Sequence, residues 1–282
     1  MAEQAAVAQA RQANQNITRA NHVLPVCYQQ SFTNADGELC VQFLDRDTPI
    51  FIHPNVVGKI NDFYTRVIDG VESDGIEKFF NEHVEGEYAK VAKRIKEEQN
   101  GFRLRVHEIP TLLKFVATQI VRTEAHRNCV NLQAGATVPQ ESFVHNMHRK
   151  MKILGDHWMK HWPMLVFWTT LPYVGSQFIT GDNPVICFVQ DEKLPVSTLV
   201  PDKPKIIDLS LSLASPHNGF IVPLSPYVCL TVINSGQRKS VQVRPMQTAD
   251  PHDVRDLNVR IYNQCVKFVA AQNPEHLSFH VK

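Results

Sequence analysis

Apolar residues recur every three to four positions over four long stretches, and the spacing predicts four amphipathic helices. The first runs from about Ile76 to Gln99, with Ile76, Phe79, Phe80, Val84, Tyr88, Val91 and Ile95 on one face, charges opposite, and Asn100-Gly101 as its stop. The second, about Glu108 to Asn128, turns Leu112, Leu113, Val116, Ile120 and Val121 inward and accepts Pro110 in its first turn. A third, about Gln140 to His161, aligns Phe143, Met147, Met151 and Leu154, with Gly155 a point of interruption. The last begins at the capping residue Asp250, places Pro251 first and extends to about Ala271 through Val254, Leu257, Ile261, Cys265 and Phe268.

Elsewhere the pattern is that of strands. Val23 to Tyr28 is extended around Pro25, and Asn34-Ala35-Asp36-Gly37 turns the chain into a strand from Leu39 to Leu44. A turn falls at Asp69-Gly70. After the third helix, β-rich runs at 164–170, 176–180, 185–189, 219–222, 227–233 and 240–243 are separated by Pro, Gly or Ser, and Leu277 to Val281 reads as a short closing strand. Residues 131–139 and 190–205 read as loops. The order strands, helices, strands, helix predicts an α+β fold, a mixed or mostly antiparallel sheet packed against a cluster of amphipathic helices. Residues 1–20 are a polar N-terminal helix or flexible extension, and residues 21–282 form one α+β domain.

Composition narrows the function only by exclusion. Lys plus Arg number 29 against 28 for Asp plus Glu, so no global field draws the chain to nucleic acid or an anionic membrane. The six scattered cysteines, Cys27, Cys40, Cys129, Cys187, Cys229 and Cys265, include no C-x-x-C and read as reduced core residues of a cytoplasmic protein. The N-terminus lacks a secretion signal, and the longest apolar runs fall far short of a membrane span.

Polar residues set among apolar ones are the candidate chemistry. Phe178-Ile179-Thr180-Gly181-Asp182-Asn183-Pro184-Val185-Ile186-Cys187-Phe188 is two buried runs broken by a polar bend, in which Gly181 is free to take positive φ and Asp182 is presented in a fixed direction. Asp182 and Asn183 are either a turn-forming device or a site, the former favoured by their habit of bonding their own backbone. His145, His148, His157 and His161 fall on the third helix, but only His157 and His161 share a face, and Arg149, Lys150, Lys152 and Lys160 beside them disfavour a bound cation; no metal site is assigned. Arg122, in Arg122-Thr123-Glu124-Ala125-His126, follows an apolar run; as an inward-facing cation it requires a carboxylate or phosphate partner. No G-x-S-x-G, Walker loop or G-x-G-x-x-G occurs, so serine-hydrolase, P-loop and dinucleotide readings lose their usual support.

His22, Pro25, Tyr28 and Phe32 stand in a His-x-x-Pro-x-x-Tyr-x-x-x-Phe pattern. With Asp62-Phe63-Tyr64-Thr65, the helix from Ile76-Glu77 through Val84-Glu85, Arg122-Thr123, Ile179-Thr180-Gly181-Asp182-Asn183-Pro184 and Pro223-Leu224-Ser225-Pro226, it resembles the bacterial domain-of-unknown-function family numbered 4238 over roughly residues 20 to 272. Gln30 departs from the basic residue common there. The family brings no settled reaction; its recurring polar residues fall on His22, Arg122, Asp182 and Asn183. Gathered in one pocket, His22 would act as general acid or base, Arg122 would neutralise a phosphate or carboxylate, and Asp182 would orient the histidine or bind a metal, with Asn183, Thr180 and Tyr28 holding substrate. The expected function is a hydrolase or nuclease-like effector acting on a nucleotide, nucleic acid or other phosphate-bearing substrate, with no cofactor identified. The alternative is a non-catalytic binding module in which Arg122 and Asp182 form a buried network.

Overall fold

The computed structural model describes residues 17–68, 71–189, 216, 218–237, 242–244 and 246–278. It is an α+β fold with mostly antiparallel sheets. One four-stranded sheet orders β3 (Ile50–Ile52), β2 (Leu39–Phe43), β14 (Phe268–Ala271) and β8 (Thr180–Gly181). A larger sheet pairs β9 (Ile186–Val189), β10 (Asn218–Ser225), β11 (Val228–Asn234) and β7 (Leu165–Leu171) in antiparallel succession, while β12 (Gln242–Val243) and β13 (Gln247–Thr248) run parallel to β7. Two ribbons complete the set: β1 (Ala20–His22) with β4 (Lys59–Asn61), and β5 (Arg66–Ile68) with β6 (Val71–Ser73).

The helices follow the predicted stripes, with informative departures. The expected extended run at 23–28 is not a strand: β1 ends at His22, and Val26–Gln29 form a one-turn helix α1, for which Pro25 supplies the preset φ of a helix entrance. The first long helix starts at Gly75 and ends at Glu98 but is not uniform: α2 (Gly75–Phe80) and α3 (Gly86–Glu98) are joined without a break by a π-turn, Asn81–Glu85. The helix expected over 108–128 is two: α4 (Ile109–Val121) stops at Arg122, and Thr123 caps α5 (Glu124–Ala134) by accepting a hydrogen bond from the His126 N–H. That cap competes with helix continuation, as Thr side chains do. Helix α6 (Gln140–His161) passes through Gly155 uninterrupted. The last helix, α7 (Pro251–Gln264), ends seven residues early, because Phe268–Ala271 serves as strand β14 between β2 and β8. Leu277 lies in a 3-10 turn. Of the expected N-terminal helix or extension over residues 1–20, residues 1–16 lie outside the described residues, as do the turn at Asp69-Gly70, the loop at 190–205 and the strand residues beyond Ser278; residues 17–19 are not helical.

Two apolar clusters hold these layers together. The larger joins α1 to α4 and α6 with the inner faces of the sheets; Tyr88 stacks on Phe115 at 3.7 Å and Trp158 on Phe220 at 5.3 Å between ring centroids. The smaller gathers Phe178, Ile179, Val254, Leu257, Ile261 and Val269 under α7. At its edge Gly181 is needed for closeness rather than for φ: a Cβ there would lie 2.3 Å from Cys265 Sγ and 2.7 Å from the Phe268 carbonyl. Gly155, by contrast, has open space around a Cβ and sits in a helix interior. Gly181→Ala is therefore expected to lose about 1–3 kcal/mol by overpacking, while Gly155→Ala gains about 0.5–1 kcal/mol. Urea denaturation of both variants checks the pair of opposite signs.

Candidate functional site

The Arg122 side chain is only 1% exposed, so its charge has to be answered from within the protein. Its Nη1 donates to Glu85 Oε1 at 2.8 Å, its Nη2 to the His22 carbonyl, and its Nε to the Tyr64 hydroxyl at 3.3 Å. The Tyr64 hydroxyl in turn donates to the Arg122 carbonyl at 2.9 Å, and the guanidinium lies 4.7 Å from the Phe80 ring centroid. Burial by itself would lower the Arg122 pKa; the combined influence of Tyr64, Glu85 and Glu77 raises it overall, so the cation persists at every accessible pH.

Local sequence explains how these groups converge. Asp62, in the left-handed region at φ 55, opens the turn Asp62-Phe63-Tyr64-Thr65, and the buried Asn21 fixes it by accepting the Tyr64 N–H at 2.9 Å. The opening segment is pinned carbonyl by carbonyl: Gln119 Nε2 donates to Val23 at 2.9 Å, Gln29 Nε2 to Leu24 at 2.7 Å, and Arg122 to His22. On the other side, Glu77 and Glu85 are eight residues apart, which on a regular helix separates them by about 80° of azimuth. The π-turn between them, closed by the Gly86 N–H on the Asn81 carbonyl, absorbs one extra residue and cuts that offset to about 20°. Both carboxylates thereby act on Arg122.

The two acids are not equivalent. Glu85 holds the guanidinium directly, whereas Glu77 is 3% exposed and its Oε2 has no hydrogen-bond partner among the described residues. Burial raises the Glu77 pKa to about 7, with Arg122 opposing and Glu85 assisting the rise. His22 is half-buried, its enclosed Nε2 has no hydrogen-bond partner among the described residues, and burial followed by the Lys59 charge lowers its pKa, against the pull of Glu85 and the Asn55 backbone. Near neutral pH this corner holds a carboxyl that titrates and a neutral imidazole. Such a pairing of displaced acid and base is what proton transfer requires.

Arg122 thus bonds the His22 backbone carbonyl rather than its ring, and the structure satisfies it with Glu85 rather than with Asp182. Both Asp182 oxygens accept backbone N–H groups, from Val266 at 3.0 Å and Lys267 at 2.7 Å, at the junction of α7 and β14. Burial raises the Asp182 pKa even against those two donors. Asn183 donates to the Gln264 carbonyl at 3.1 Å, and Gln264 returns a bond to the Asn183 carbonyl. Tyr28 donates to the Pro223 carbonyl at 2.7 Å and lies 2.8 Å from the Thr180 hydroxyl, both side chains buried. Thus Asp182, Asn183, Thr180 and Tyr28 tie the late strands to the opening segment and to β14, and no hydrogen bond or ion pair joins Asp182 to His22 or Arg122 among the described residues. Glu77 and Glu85 are the residues that the helical pattern left on the charged face; their signal was an acid beside each inward apolar position, Ile76 and Val84.

Among the described residues, no group of three or more His, Cys, Asp or Glu is placed to hold a metal ion, and no helix is long and apolar enough to cross a membrane.

Two stability predictions follow from the charges. Arg122→Met would strand Glu85 beside an unanswered His22 carbonyl and cost about 3–5 kcal/mol, and Arg122→Lys would recover only part because an ammonium cannot reproduce the three-way fork; chemical denaturation measures both. Because the folded pKa of Glu77 lies above its unfolded value, its contribution is fully present below about pH 4.5 and is lost as pH rises through about 7. Glu77→Gln is expected to gain on the native chain by up to about 3 kcal/mol between pH 5 and 8, and a native-minus-variant difference flat across that range would contradict it.

Residues 20–275 match the family described as "Protein of unknown function (DUF4238)". No curated protein and no solved structure matches.

Proposed function

Since the chain belongs to the DUF4238 family, whose description names no reaction, we propose from the geometry alone that it is a hydrolase of phosphate-bearing substrates, nucleotides or nucleic acid, working by general acid–base catalysis at His22 and Glu77. The observation that supports this reading is that His22 Nε2 and Glu77 Oε2, both buried, have no hydrogen-bond partner among the described residues, while the His22 carbonyl and the Glu77 carboxyl both act on one buried guanidinium. In the step, neutral His22 takes a proton from water as its oxygen bonds to phosphorus, the bond from phosphorus to the leaving oxygen breaks, and protonated Glu77 supplies that oxygen with a proton. Arg122 is a positioning residue: its three partners occupy it, and it fixes the His22 backbone and Glu85. Asp182 has no part in the step.

A second reading, a non-catalytic binding module, draws support from the complete satisfaction of both Arg122 and Asp182, which is how structural polar networks behave.

The two readings part on activity. Assayed against p-nitrophenyl phosphate, bis-p-nitrophenyl phosphate, nucleoside phosphates and a short RNA, the full chain is expected to hydrolyse at least one class, and His22→Gln and Glu77→Gln to lose about 100-fold or more while melting cooperatively. The pH profile of kcat/KM rises as His22 deprotonates, below its ordinary value of 6.5, and falls as Glu77 ionises near 7. Folded variants with unchanged rates, or no turnover of any class by the native chain, would establish the binding module instead.

A further inference from the structure

We infer that Lys59, rather than Arg122, receives the phosphate group of the ligand at the His22 corner; this rests on the acid–base reading above and names what the same site recognises. In the β1–β4 ribbon the Cα of Lys59 is directly opposite that of His22. Directly opposed residues of an antiparallel pair project on the same face, with Cβ atoms about 4.5–5.5 Å apart. The Lys59 ammonium accordingly acts on the His22 ring. Unlike every other cation near this corner, Lys59 is exposed and paired with no carboxylate among the described residues.

The buried guanidinium is already spent. Arg122 is sealed beneath His22 with three partners, and Glu85 is committed to it. A phosphate arriving from solvent meets Lys59, which is exposed, while His22 Nε2 and Glu77 Oε2 lie enclosed. Two carboxylates here would repel it: Glu85, whose charge is met by Arg122, and Glu77, which does so only once ionised. Binding is thus strongest below about pH 7, where Glu77 carries its proton. An ammonium suits this task as a compact point charge that needs no fixed geometry.

Inorganic phosphate, titrated into the full chain with carbon-13-labelled histidine and with the His22 signal identified through His22→Gln, is the probe. The expected result is a saturable shift of the His22 ring resonance at pH 6.5, weakened about tenfold or more in Lys59→Gln, retained within about twofold in Lys59→Arg, with melting unchanged in both. The His22 pKa should rise in Lys59→Gln, since the lysine charge holds it down. Titrations of adenosine monophosphate and of an oligonucleotide without terminal phosphates then separate a terminal from an internal phosphate as the group bound. An equal shift in native and Lys59→Gln protein, or no shift at His22, overturns the inference. The measurement needs no turnover, so Lys59-dependent binding combined with fully active His22→Gln and Glu77→Gln would reject the hydrolytic reading and leave an anion-binding site.

Discussion

A guanidinium that cannot reach water is the constraint to which the rest of the fold answers. Desolvating an isolated cation costs far more than any single contact returns, so Arg122 is tolerable only where several acceptors are delivered together. Those acceptors come from distant parts of the chain: the His22 carbonyl from the opening strand, Tyr64 from the turn after β4, and Glu85 from the helix. Each delivery has its own local device. Asn21 braces Tyr64, Gln119 and Gln29 brace the carbonyls following His22, and the π-turn rotates Glu85 into line with Glu77. Loss of the cation therefore loosens several segments at once.

The same logic separates structural polarity from chemical polarity. Asp182 resembles a site residue in sequence, being an acid between two apolar runs, yet both its oxygens are filled by backbone N–H groups at the entrance to β14. It does for that junction what a capping residue does for a helix end. Glu77 is the opposite case: inconspicuous among the charges of an amphipathic helix, it is buried with an oxygen unmatched. Stability alone gives no reason to keep such a group, since an unfilled buried acceptor is a cost.

How much of this was legible in the sequence follows from the range of the forces involved. The apolar stripes of α3, α4, α6 and α7 are local, and their period placed these helices and the α+β class. The cap at Asp250 and the entrance at Pro251 were equally local. Phe268 was misplaced on a helix because its neighbours in β14 come from residues 40–43 and 180–181, which no window of the chain contains. The need of Arg122 for an anionic partner was readable from its position after an apolar run; the identity of that partner was not. A straight helix would have set Glu77 and Glu85 about 80° apart, and the π-turn that aligns them leaves no mark in the apolar period beyond the step from Phe80 to Val84 to Tyr88.

That π-turn also bears on why the acids differ. A π-turn gives up regular helical hydrogen bonding and persists where surrounding contacts favour it. Here the gain is a second carboxylate over one guanidinium, and two carboxylates sharing a cation cannot both be fully compensated. The one in direct contact, Glu85, takes the charge, and the one behind it, Glu77, is left in a desolvated setting that favours its proton. A single backbone irregularity thus produces both a firmly held cation and a carboxyl poised to exchange its proton near neutrality. The structural demand of Arg122 and the chemical capacity at His22 arise from the same nine residues of helix, Glu77 to Glu85.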